Sequence, residues 1–180
     1  MPDNEIRETL FRIGAETIGS LGMMLPLSEE EASAAGGSTA NQRAAACKIV
    51  AVPFSGPSNG VLLLNADERL LPELAGNMLG LEDGVAASRE QQEDALKELA
   101  NVVCGNLLPA IAGKHPVFHI GAPYVVASPA KPAAAPARDG GSAPPWCPMT
   151  SAAQTRLQFS GGAIALKLVF KETVVEVNGA

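Results

Sequence analysis

Phe54-Ser-Gly-Pro-Ser-Asn-Gly60 followed by Val61-Leu-Leu-Leu64 has a counterpart later in the chain, Phe159-Ser-Gly-Gly162 followed by Ala163-Ile-Ala-Leu166. Each is an apolar run, a turn built from Ser, Gly, Pro or Asn, and a second apolar run, the pattern of a β-hairpin. Lys48–Phe54 and Gly60–Asn65 form the first pair of predicted strands, Thr155–Phe159 and Ala163–Phe170 the second. Upstream of each hairpin lies a helical pattern carrying Glu, in Glu16-Thr-Ile-Gly19 and Glu98-Leu-Ala-Asn101. From Glu to Phe the first interval is 38 residues and the second 61, an excess of 23. Residues 128–152, rich in Pro, Ala and Gly, account for an insertion of about that length. The expectation is a single α+β domain over 1–180, with long helices on an antiparallel sheet and a pseudo-twofold helix–hairpin repeat. Chance likeness between two short turns is the competing explanation.

Outside the hairpins, Ile6, Leu10, Ile13, Thr17 and Leu21 recur at helical spacing and predict a helix over residues 5–24. Asp67 to Leu79 reads as a shorter helix with Asp67 as its cap, and Gly80–Gly84 as a turn. Ser88 and Gln91 have the spacing of a capping box at the head of a helix running to about Pro109. Residues 117–127 hold one or two strands broken at Gly121 and Pro123, and Glu172–Val177 a last short strand. The 128–152 segment has too little apolar surface to offset its ordering entropy and reads as a loop.

With 180 residues, 47% of them hydrophobic, the chain can bury a sizeable core. A net charge of −6 and the lack of any Lys/Arg stripe argue against nucleic acid as a partner. No signal-peptide pattern or run of roughly 20 apolar residues appears, so the expectation is a cytoplasmic chain without membrane attachment. Cys47, Cys104 and Cys147 are isolated and odd in number, which suits neither structural zinc nor a disulfide framework. His115 and His119 lack a third ligand nearby, so no metal site is expected.

Asp94, Glu98, Asn101 and Gly105 fall within roughly 60° of arc at about 100° per residue, opposite Leu96, Leu99, Ala100, Val103 and Leu107. That arc is expected to face solvent. Gly105 costs about 1 kcal/mol relative to Ala inside a helix and suits close approach by a partner. Asn101 is a poor helix former. An amide beside a carboxylate can orient a water, but acids and amides on a solvated helix face are also common, and spacing alone does not choose between the two.

Asp94-x-x-x-Glu98-x-x-Asn101, with Pro123 downstream, resembles the signature of the CheC/CheX/FliY chemotaxis phosphatases. Leu70–Gly80 and Glu98–Leu108 add to the likeness, which spans most of the chain outside 28–46 and 128–152. The family spacing from Asn to Pro is about twenty-two residues; here 21 intervene. Glu16-x-x-Gly19 lacks the amide, so one active face per chain resembles CheX, whose relatives are homodimers. The resemblance implies a phosphatase acting on the phosphoaspartate of a CheY-like response regulator. It assigns Asn101 to orienting the attacking water, Glu98 to docking on the regulator's lysine, and Asp94, Gly105 and Pro123 to the partner contact. It implies no cofactor in this chain, with Mg²⁺ carried by the regulator. The rival readings are a regulator-binding module without turnover and a scaffold tethered by the Pro/Ala segment, to which Trp146 would belong.

Overall fold

The computed structural model describes residues 3–28, 30–31, 46–82, 84–113, 115–126 and 149–171. Helix α1 spans Asp3–Leu21, β1 Cys47–Ser55, β2 Gly60–Asp67, α2 Leu71–Leu79, α3 Arg89–Ala112, β3 His119–Ile120, β4 Tyr124–Val126, β5 Met149–Phe159 and β6 Gly162–Lys171. The six strands form one sheet in the order β3-β1-β2-β6-β5, with β4 also paired to β1, and every pairing is antiparallel.

The strands alternate as half-buried strands must. Val50, Val52 and Phe54 of β1, Leu62 and Leu64 of β2, Ile164, Leu166 and Leu168 of β6, and Leu157 and Phe159 of β5 join one core with Leu10 and Ile18 of α1, Leu74 of α2 and Leu99 of α3. All three helices therefore lie on one face of the sheet. Ala51, Val61 and Val169 form a smaller cluster on the opposite face, with Leu63 and Val126 against it.

The repeat is visible in the register. If Gly60 corresponds to Gly162, then Leu64 corresponds to Leu166, and those two residues are partners across the central β2–β6 pair. A pseudo-twofold axis through that pair exchanges β1 with β5. The helices follow: α1 packs on β5, of the other half, and α3 packs on β1.

Several local expectations are corrected. Helix α1 stops at Leu21 rather than 24, because Met23 takes a left-handed φ of 50° and ends the spiral. Asp67 does not cap α2, which starts at Leu71 after a 3₁₀ turn over Glu68–Leu70; its carboxylate instead accepts the Ala163 N–H at 2.8 Å, joining the two hairpins. Helix α3 runs three residues past Pro109. Strand β5 starts at Met149, ahead of Thr155, so residues 149–152 of the Pro/Ala/Gly-rich segment begin a strand. The rest of that segment, with Trp146 and Cys147, and the strand expected over 172–177 lie outside the described residues.

Candidate functional site

Helix α3 is fixed at its head, along its flank and beside the sheet. Ser88 Oγ accepts from Gln91 N at 3.2 Å and Gln91 Oε1 accepts from Ser88 N at 2.8 Å, so the capping box is complete. Asn106 Nδ2 donates to Thr17 Oγ1 of α1 at 3.3 Å, and Thr17 is nearly fully buried. That bond ties α3 to α1 beside their apolar packing. At the sheet, Lys48 Nζ of β1 lies 2.9 Å from Glu93 Oε2. Twelve helical residues on from Glu93, a Cβ built on Gly105 would stand 3.9 Å from Ile120, the register partner of Phe54. Six strand residues and twelve helical residues both span roughly 18–20 Å, so β1 and α3 run in the same direction side by side.

Asp94 and Glu98 are exposed, as expected, whereas Asn101 and Gly105 are half-buried. The sequence arc took the core stripe to be narrower than it is. Cys104 and Leu108 are also buried, because α3 is flanked by α1 and α2 as well as by the sheet. Asn101 therefore lies on the rim between solvent and core. Among the described residues, neither Glu98 nor Asn101 makes a side-chain hydrogen bond or ion pair. Both groups are left with their full polar capacity, one helical turn apart. Asp94 is different: its Oδ1 lies 3.3 Å from Lys97 Nζ.

Gly105 has two physical explanations. Only Ile120 lies within 4 Å of a built Cβ, so nothing in the described residues demands a glycine and the space is open. It is also the residue four before Pro109, whose ring presses on that carbonyl; a residue without Cβ lets the backbone yield.

Pro123 lies between β3 and β4, and Pro53 explains why the edge strand breaks there. Gly121 N donates to Pro53 O at 2.8 Å. In an antiparallel ladder one residue's N–H and C=O point the same way, so the N–H that Pro53 lacks falls on this same edge. The ladder opens, and Gly121 fits because a Cβ there would stand 2.8 Å from Pro53 Cγ. Pairing resumes at Tyr124 opposite Ala51, midway between Lys48 and Phe54. Pro123 thus comes level with the stretch of α3 that holds Glu98 and Asn101.

Sequence reasoning missed Lys48, which is 45 residues from Glu93 and meets it only through the fold. Glu93 and Lys97, four apart, were legible as a helical ion pair and lie 3.1 Å apart. Hydrogen bonds from Lys48 and then Lys97 hold the Glu93 carboxyl below its usual range, while that with Glu93 chiefly raises Lys97. Burial pushes the Cys104 thiol up to about 12, well above pH 8, so the reactive thiolate is scarce in the folded protein. Iodoacetamide at pH 8 is expected to leave Cys104 unmodified in the folded protein and to alkylate it in guanidinium; labelling at equal rates in both states would show that the site is open. His115 and His119 are exposed, and among the described residues no group of three His, Cys, Asp or Glu is placed to hold a metal ion. Among the same residues, no helix is long and apolar enough to cross a membrane.

Residues 49–142, just over half of the chain, match the family model described as Chemotaxis phosphatase CheX. The fold is shared with the chemotaxis protein CheX of Vibrio vulnificus, at 16% identity and a TM-score of 0.63, covering 95% of this chain and 99% of that one. CheX of Desulfovibrio desulfuricans gives 14%, 0.64, 93% and 99% in the same order. The CheX–CheY–BeF3–Mg²⁺ complex from Borrelia burgdorferi gives 14% identity, a TM-score of 0.56, and coverage of 92% and 97%. None of the curated proteins compared with the chain matches it.

Proposed function

The chain belongs to the CheX family of chemotaxis phosphatases, and from that premise we propose that it hydrolyses the phosphoaspartate of a CheY-like response regulator. One observation carries the reading: an exposed Glu98 and a rim-placed Asn101, one turn apart on a firmly held helix, have no partner among the described residues. Among the described residues, burial and hydrogen bonding account for neither group, and both match what an incoming acyl phosphate needs.

An acyl phosphate is already reactive, so catalysis is mostly placement. The Asn101 carboxamide both donates and accepts hydrogen bonds, and so can hold a water in line with the phosphorus. The water oxygen bonds to phosphorus as the bond to the aspartate oxygen breaks. The carboxylate leaves with the bonding pair, and the water's proton passes to phosphate or solvent. An amide has no ionisation to tune, which suits the wet rim where Asn101 lies. Glu98 pairs with the lysine beside the regulator's phosphoaspartate and fixes the register of docking. Asp94, Gly105 and Pro123 border the contact. Mg²⁺ is the regulator's own, with none required by this chain. The working form is a homodimer in the cytoplasm.

The test is the decay of phosphate from a phosphorylated CheY-like regulator mixed with the purified chain. Accelerated loss supports the phosphatase, binding without loss leaves a regulator-binding module, and the absence of both loss and binding overturns the proposal and leaves the scaffold. Glu98→Lys is expected to weaken the complex about tenfold through charge reversal at the docking contact. Calorimetric titration giving the wild-type affinity would remove Glu98 from that contact.

A further inference from the structure

The charges around Glu98 are arranged unevenly. Lys48 Nζ lies 2.9 Å from one oxygen of Glu93, and Lys97 Nζ lies 3.1 Å from the other and 3.3 Å from Asp94 Oδ1. Two ammonium groups thus offset two carboxylates. Glu98, the next residue after Lys97, takes no part and has no partner among the described residues. Lys97 is not a loosely waving surface cation. Its side chain is 29% exposed, against 67% for Asp94, and Lys48 holds its main partner Glu93 from the sheet. The helix thus presents a fixed neutral patch followed by one bare carboxylate.

Resting on the docking reading above, we propose that Lys97 is a specificity-determining residue, which masks Glu93 and Asp94 so that a partner bringing a phosphoryl group beside a lysine is accepted. A phosphoryl group carries about −1.5 to −2 charges, so on an aspartate it makes the regulator's site about one charge more negative at constant Mg²⁺. Asp94 is seven residues from Asn101, roughly 10 Å along the helix, which is about one Debye length at 0.1 M salt. With Lys97 gone, Glu93 keeps only Lys48 and Asp94 has no cation. The phosphorylated regulator then meets added negative charge, while a regulator without phosphate meets little penalty at its lysine.

The experiment measures binding of the full chain to a purified CheY-like regulator, with Mg²⁺ present throughout and with or without beryllofluoride, from 0.05 to 0.5 M salt. Lys97→Gln is expected to weaken binding of the beryllofluoride-loaded regulator about two- to fivefold at low salt. The difference should vanish at high salt, the unloaded regulator should lose less, and Lys97→Arg should restore the wild-type preference. In turnover the same change should raise KM and hold kcat. Equal losses for loaded and unloaded regulator, a loss indifferent to salt, or an unchanged preference would each overturn the masking role. A wild-type chain that neither binds nor turns over the regulator would overturn the function itself, and the masking role with it.

Discussion

Replacing Asn101 with Ala is expected to remove most of the phosphatase activity, by about 10²-fold, and to leave the fold intact. The magnitude follows from the role. A group that only positions the attacking water contributes through geometry, and misplacement by about 1 Å can cost 10²-fold. The fold should survive because the Asn101 side chain has no hydrogen-bond partner among the described residues and is only half-buried, so truncation orphans nothing in the core. Alanine is also the better helix former, by roughly 0.5 kcal/mol, so α3 should gain slightly. Regulator-phosphate decay should fall to near its spontaneous rate, with an unchanged circular dichroism melt and unchanged regulator affinity. Wild-type turnover by this variant would remove Asn101 from the chemistry. A lowered melting temperature would give it the structural role that its missing contacts deny.

The largest expected loss of stability follows Leu166→Ala, at about 2–5 kcal/mol. Leu166 is fully buried at the pseudo-twofold axis, paired with Leu64, and α1 crosses over it at Gly14. Deleting its isopropyl group leaves a cavity between the halves that neither can close alone, because the β2–β6 ladder holds both strands in place. For a chain of this size the melting temperature should drop by about 5–15 °C. Below the melt, kcat per folded molecule should hold, since α3 is positioned from β1, α1 and its own cap. A shift of a degree or two in calorimetry would show that the site collapses freely.

These two residues also mark how far the sequence could be read. Leu166 was legible as core because alternation along a strand depends only on residue type and the period of two. The repeat of Phe-Ser-Gly turns pointed to equivalent hairpins, and the register of Leu64 with Leu166 bears it out. The capping box of α3 was legible because Ser88 and Gln91 meet within one turn. Asp67 misled because its local spacing suits a cap, while its bond goes to Ala163 across 96 residues. Asn101 was placed on the right arc, but its half-burial was not foreseen, because a helical wheel assumes one buried side and α3 has neighbours on several.

The sequence by itself determined two helix–hairpin halves, an antiparallel sheet, and the single helix that carries Asp94, Glu98 and Asn101, since these depend on local periodicity, turn chemistry and capping. Only the tertiary structure decided which of those polar groups remain unspent. Lys48 reaches Glu93 from another element, Lys97 then takes up Asp94, and Pro53 opens the sheet edge that brings Pro123 level with Asn101. The Lys48–Glu93 pair and the Pro53–Gly121 edge contact depend on distance in space, and residues 45 and 68 positions apart acquire that distance only when the chain folds.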